Sequence, residues 1–171
     1  GHLKRNTELI WSFEKMKKVL FISSTGGHLS ELLQLSPMFE KYDYRLVTEK
    51  TKSNMDLLNK YPGKVDLLVY GTKSHFLVYP FKLFYNTLKS LRIFLKFRPD
   101  VVITTGAHTG GPMCCIAKLF GAKVIYIETL ANMYTKTITG RLVYHIADLF
   151  VVQWESMLEL YPDATYGGWI Y

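Results

Sequence analysis

Three side chains in this sequence stand where apolar runs give way to turns, and each is of a type that moves protons or meets anions. His28 follows Gly26 and Gly27 in SSTGGHLSEL, Glu128 ends the apolar run VIYIE, and His108 lies inside the glycine-rich TTGAHTGGP. An imidazole exchanges a proton near neutral pH and suits the role of general base towards a sugar hydroxyl. Gly26 and Gly27 permit a tight turn that leaves backbone N–H groups at a helix start, where an anion is favoured. The competing reading is that the glycines only permit the turn and His28 caps the helix. Glu128 reads either as a carboxylate emerging at a ligand edge or as a cap on the following turn. Thr105, Gly106, Gly110 and Gly111 belong to a second strand-to-helix turn that could offer N–H groups to a diphosphate. His108 within it is either a local specificity feature or a plain exposed residue. The two histidines follow separate strands with no third ligand pattern nearby, which argues against a zinc site. The first turn is not G-x-G-x-x-G and no Walker lysine follows it, so neither a dinucleotide cofactor nor a bound nucleoside triphosphate is expected.

The elements that must hold these residues alternate. Apolar runs predict strands at residues 19–23, 44–48, 65–70, 101–105, 124–128 and 149–153. Helical patterns predict helices at 29–39, 53–61, 78–97, 113–120 and 139–146, several ended by Pro or Gly. This is the pattern of an α/β, Rossmann-like, doubly wound parallel sheet, in which ligands collect at the carboxyl ends of the strands. Both glycine turns and the segment after Glu128 fall at that edge. The 171 residues suit one domain with a real core, placed at residues 16–171, and leave little room for a second lobe. Residues 1–15 lack the apolar run of a signal peptide and precede a Met16-Lys17-Lys18 start, so they read as an artificial or upstream extension.

The formal net charge is +7, which favours an anionic partner: nucleic acid, a phosphosugar or an acidic bilayer. No nucleic-acid reader motif accompanies the basic residues, so nucleic acid is not expected. Cys114 and Cys115 are adjacent and badly placed to bridge, which suits a reduced compartment. In residues 78–97, Lys82, Lys89, Arg92 and Lys96 share one helical face, and Leu83, Phe84, Leu88, Leu91, Phe94 and Leu95 fall on a broad opposite face. This is either a sheet-covering helix with a solvated basic face or an interfacial helix at a membrane surface; it is too interrupted by charge to span a bilayer. Trp154, at a strand end, is core or a flat platform for a sugar or partner chain. The tail YGGWIY, with Trp169 and Tyr171, reads as an apolar segment that docks on a partner.

Residues 127–161, IETLANMYTKTITGRLVYHIADLFVVQWESMLELY, together with SSTGGHLSEL, carry a family resemblance. They resemble the family of the acceptor-side, membrane-docking subunit of the two-chain GlcNAc transferase that extends dolichol-linked oligosaccharides, with its bacterial capsule and exopolysaccharide relatives. The resemblance covers Met16 to the last residue, and the VQW triplet ending at Trp154 is its most specific match. It implies one lobe of a glycosyltransferase B fold, inactive without a separate donor-binding subunit that brings the UDP-sugar. It also implies an inverting transfer to a lipid-diphosphate-linked sugar, at the cytoplasmic face of the cell membrane, with peripheral attachment. The related one-chain peptidoglycan GlcNAc transferase has a histidine after its glycine-rich turn, which favours His28 as base. Glu128 matches the glutamate of the family's IES-type motif, implying an orienting or acceptor-binding role. The family often has a basic residue soon after, where this chain has Asn132. The alternative within this resemblance is a non-catalytic scaffold that recruits and activates the transferase.

Overall fold

The computed structural model describes residues 16–71 and 77–171; the extension expected at residues 1–15 lies outside them. Seven parallel strands form one sheet: β1 (Lys18–Ile22), β2 (Asp43–Glu49), β3 (Val65–Leu68), β4 (Val101–Thr104), β5 (Lys123–Ile127), β6 (Leu149–Val152) and β7 (Thr165–Tyr166). Their spatial order is β3-β2-β1-β4-β5-β6-β7. The order reverses between β1 and β4, the switch point at which doubly wound sheets open a ligand crevice. The helices are α1 (Gly27–Gln34), α2 (Leu57–Lys60), α3 (Tyr79–Phe97), α4 (Gly110–Leu119) and α5 (Ile138–Tyr144).

Strand side chains alternate between two cores, as the pleat requires. Leu20 and Ile22 of β1 join Val47, Val102, Val124 and Val152 beneath α3, α4 and α5. Val19 and Phe21 join Leu46, Ile103, Ile127 and Val151 on the other face, beneath α1 and the short helical turns before and after β2. Burial on both faces explains why the strands read as continuous apolar runs. Complete burial of one such Leu, Ile or Phe contributes about 1.5–3 kcal/mol.

The six expected strands are all present, within two residues of their expected ends. The helix expected at 29–39 is divided into α1 and a 3-10 turn at Ser36–Lys41 with Pro37 in its first turn, where the missing N–H suits a helix start but not an interior. The helix expected at 53–61 shrinks to a 3-10 turn at Lys52–Asn54 and the single-turn α2. Cys114 is buried and Cys115 exposed, so the two point apart.

The apolar side of α3 is only partly used for packing. Phe94 and Ile93 are buried, yet Phe84 and Leu88 are more than half exposed and Phe81 is 75% exposed. Of the two readings of this helix, a wholly sheet-covering one does not hold, since Leu95 is also exposed and the N-terminal half of α3 leaves its apolar residues uncovered. Asn86 ties that half to Val69, accepting from the Val69 N–H at 2.8 Å and donating to the Val69 carbonyl at 2.7 Å.

Candidate active cleft

His28 opens α1 directly beyond the carboxyl end of β1. Gly26, with φ of 83°, makes the preceding turn in a conformation that favours glycine, and both Gly26 and Gly27 face open space. The His28 ring is fixed from the neighbouring strand, for its Nδ1 lies 2.9 Å from the Thr105 carbonyl oxygen. A carbonyl only accepts, so Nδ1 carries the hydrogen and the neutral ring keeps Nε2 as its free basic atom. Thr105 answers with its hydroxyl, which donates to the His28 carbonyl at 2.6 Å.

The second glycine turn is committed to holding this arrangement. The Gly106 N–H donates to Thr104 Oγ1 at 3.1 Å and its carbonyl accepts from Ser24 N–H at 2.9 Å. A side chain on Gly106 would meet the His28 ring at 3.3 Å, and one on Gly110 would strike the Thr104 hydroxyl. The Gly110 N–H donates to the Ala107 carbonyl at 3.2 Å, and Gly111 is buried against Thr139 and Leu142. The expectation that Thr105, Gly106 and Gly110 offer groups to a phosphate is therefore corrected: their polar atoms are spent inside the protein. Gly26 and Gly27 remain the open turn.

Sequence reasoning missed Glu49, the last residue of β2, which is 1% exposed. Its carboxylate accepts from Thr25 N–H at 3.0 Å, the Thr109 hydroxyl at 3.1 Å and His108 Nε2 at 2.9 Å. It thus joins the His28 turn to the second glycine turn. Burial alone would raise its pKa, but the His108 hydrogen bond, the Thr25 amide, the charge of His108 and the Thr109 hydroxyl outweigh burial and hold it below the ordinary value. The signal in the sequence was faint, since Glu49 closes a strand that reads DYRLVTE, only Leu46 and Val47 being aliphatic. His108 is consequently not a plain exposed residue but half of an acid–imidazole pair.

Glu128 reaches the expected edge, yet its carboxylate turns inward and the residue is 1% exposed. It accepts from the Thr129 N–H at 3.1 Å, the Thr137 hydroxyl at 3.2 Å and the Tyr161 hydroxyl at 3.3 Å. Burial pushes its pKa up; those donors oppose the rise without cancelling it, and the Glu31 charge adds to it. The expected emergence into the cleft is thus corrected. Above Glu128, the segment at residues 129–137 is stapled down: Glu31 accepts from the Thr129 hydroxyl at 2.7 Å, and Trp154 Nε1 donates to the Leu130 carbonyl at 2.7 Å. Trp154 therefore fastens this segment, while Tyr171 folds back within 3.5 Å of Glu31. Of the aromatic tail, Trp169 stays exposed at 76%.

Three of the basic residues of α3 lie apart from the glycine turns. Lys89, Arg92 and Lys96 line a groove of about 490 Å³ with Arg45, Tyr85 and Leu88, and the groove shares no residue with either turn. Lys82 instead donates to the Tyr70 carbonyl at 3.2 Å. No helix among the described residues is long and apolar enough to cross a membrane, and no three His, Cys, Asp or Glu side chains among them gather as a metal site.

Comparison with known proteins adds to this geometry. The family model described as oligosaccharide biosynthesis protein Alg14 like matches residues 72–170. The UDP-N-acetylglucosamine transferase subunit ALG14 of Mus musculus is 26% identical over 178 residues, covering 88% of this chain and 82% of its own length. The UDP-N-acetylglucosamine–N-acetylmuramyl-(pentapeptide) pyrophosphoryl-undecaprenol N-acetylglucosamine transferase of Francisella tularensis is 25% identical over 150 residues, covering 84% of this chain and 40% of its own length. Among solved structures, MurG of Acinetobacter baumannii superposes with a TM-score of 0.63 at 20% identity, over 80% of this chain and 41% of that one. That likeness shows the fold, a Rossmann-like lobe similar to part of a glycosyltransferase B enzyme, and this chain spans about two fifths of that structure's length.

Proposed function

The chain belongs to the Alg14-like family of oligosaccharide biosynthesis proteins, and from that premise we propose that it is the acceptor-binding subunit of an inverting UDP-sugar-dependent glycosyltransferase. The donor is held by a separate subunit, and UDP-N-acetylglucosamine is the donor named for the relatives. The acceptor is a sugar on a lipid diphosphate, in the assembly of a capsular or other surface polysaccharide, and the work is done at the cytoplasmic face of the cell membrane.

The observation that carries the reading is the fixed tautomer of His28 at the switch point between β1 and β4. The acceptor hydroxyl gives its proton to His28 Nε2 while its oxygen attacks the anomeric carbon of the donor. The bond from that carbon to the UDP oxygen breaks, and UDP leaves on the partner. Gly26 and Gly27 line the acceptor's approach. Glu128 acts from below, as the buried support of the segment at residues 129–137, and Trp154 fastens that segment from the side. Along α3, Lys82, Lys89, Arg92 and Lys96, with the exposed Phe81 and Phe84, supply peripheral attachment to anionic lipid. Exposed Trp169 and the neighbouring Tyr171 contribute the contact with the donor subunit.

One observation favours a second reading. Glu128 is sealed and the Thr105 turn is internally satisfied, so a scaffold that activates its partner without lending a reacting group would keep the same packing. Reconstitution separates the two. The chain, alone and with the donor subunit, is assayed for transfer from a panel of UDP-sugars to a prenyl-diphosphate-linked sugar. Activity is expected only in the complex, and robust transfer by the isolated chain would sink the subunit reading.

A further inference from the structure

The groove of about 490 Å³ along α3 has two chemically different parts. Its volume lies in the range of small-molecule sites, roughly 300–1,000 Å³. Lys89, Arg92 and Lys96 follow one another at spacings of three and four, so they share a helical face. Among the described residues none of the three forms an ion pair. The carboxylate of the lining, Asp66, is already taken: Arg45 Nε donates to it at 2.9 Å, while Arg45 Nη1 donates to the Gly63 carbonyl at 2.8 Å. Arg45 and Asp66 therefore offset each other, and three cations are left without a counter-charge. The other part is apolar. Ile93 is buried in it, but Tyr85 and Leu88 are 54% and 51% exposed. One turn earlier Phe81 and Phe84 are exposed too, so the apolar part continues along α3 into the surface assigned above to lipid attachment. A small hydrophilic anion would answer the cations and leave Tyr85 and Leu88 wet. A neutral apolar molecule would do the reverse. An occupant that carries both a phosphate and a hydrocarbon chain satisfies both parts at once.

Resting on the attachment reading of α3 above, we infer that this groove holds a single anionic phospholipid, its phosphate among Lys89, Arg92 and Lys96 and the start of an acyl chain against Tyr85, Leu88 and Ile93. Attachment then has a one-to-one, headgroup-selective component in addition to the diffuse attraction of basic residues to a charged surface. Arg45, held by Asp66 and the Gly63 carbonyl, forms the far wall and is not a ligand.

The test uses the whole chain and lipids short enough to stay monomeric, with binding followed by backbone amide NMR shifts. The probes are dihexanoylphosphatidylglycerol, dihexanoylphosphatidylcholine and glycerophosphoglycerol, the headgroup without chains. Phosphatidylglycerol is expected to saturate one site, to shift the groove residues, and to bind roughly tenfold or more tightly than either control. Lys89→Gln and Arg92→Gln should each weaken it roughly tenfold. Tyr85→Ser combined with Leu88→Ser should reduce it to the level of glycerophosphoglycerol, whose own binding stays unchanged; a general loss of packing would lower both. The inference falls if glycerophosphoglycerol or phosphatidylcholine binds as tightly as phosphatidylglycerol, or if the Lys89→Gln, Arg92→Gln double variant binds like the parent. It falls equally if a glutamate-rich amphipathic peptide fills the groove in preference to the lipid, which would assign the site to a protein. Vesicle sedimentation reads the attachment hypothesis separately. A chain that sediments with anionic vesicles through α3 but binds no monomeric phosphatidylglycerol overturns this site alone, whereas one that binds the monomer and ignores vesicles sustains the site and overturns the attachment reading.

Discussion

His28 and Thr105 hold each other by a reciprocal pair of hydrogen bonds, imidazole Nδ1–H to carbonyl at 2.9 Å and threonine hydroxyl to carbonyl at 2.6 Å. This leaves Nε2 as the only ring atom able to take a proton. In the reconstituted complex, His28→Ala should lower turnover by about a hundredfold to ten-thousandfold at saturating substrates, the range for loss of a general base. Assembly, followed by gel filtration, should be unchanged. A rate within about threefold of the parent, far below that range, would return His28 to a purely structural role.

Glu49 and Glu128 should bend the stability curve in opposite senses. The folded pKa of Glu49 is lowered, so its contribution is complete above the ordinary glutamate value and is lost as pH falls through the folded value. The folded pKa of Glu128 is raised, so the folded state binds the extra proton and stability falls as pH climbs from the ordinary value through the raised one. Urea unfolding across a pH series checks both. Glu49→Gln should flatten the acid limb, and Glu128→Gln should remove the decline above the ordinary carboxylate range; parallel curves for parent and variants would contradict these assignments.

Gly140→Ala should destabilise the domain, because its Cβ would lie 2.5 Å from Glu128 Oε2 and 2.7 Å from the Thr137 and Tyr161 hydroxyls. All three atoms belong to one hydrogen-bonded cage and cannot retreat independently. The expected cost is about 1–3 kcal/mol, typical of an overpacked core. It is read from the denaturation midpoint, and a midpoint equal to the parent's would show the cage to be slack.

For α3, vesicle sedimentation should show salt-sensitive binding to anionic but not neutral lipid. Each basic residue near such a surface contributes about 1 kcal/mol. Changing Lys89, Arg92 and Lys96 to Glu should then weaken binding roughly a hundredfold or more. Replacing Phe81 and Phe84 with Ser should weaken it while keeping the salt dependence. Undiminished binding in both variants would exclude α3 as the attachment surface.

The sheet was legible because β1, β4, β5 and β6 are largely buried on both faces and write themselves as apolar runs; β7 was not, since Thr165 and Tyr166 are both exposed and follow no such run. The rule that identified Glu128, a charged residue ending an apolar strand, passes over Glu49, whose strand DYRLVTE mixes Asp43, Arg45 and Thr48 with Leu46 and Val47. Glu49 was overlooked because Lys50, Thr51 and Lys52 make its surroundings look like a solvated turn. What could not be read was direction. Whether a carboxylate at a strand end faces the crevice or the interior depends on Thr137 and Tyr161, donors 9 and 33 residues further along the chain. Glycine amides raised a similar difficulty: sequence shows that a turn can bind an anion, while Ser24 and Thr104 decide that this one is satisfied internally.

Placing β1 beside β4 has a consequence in time. His28 and the carbonyl that orients it are 77 residues apart. At synthesis rates of about 5–20 residues per second, a nascent chain carries His28 for roughly 4 to 15 s before Thr105 exists. Through that interval β1 can pair with β2, but the turn beyond it has no second wall, and a translation intermediate halted before β4 holds an imidazole free to swivel. The imidazole of the cleft thus leaves the ribosome well before it acquires a direction.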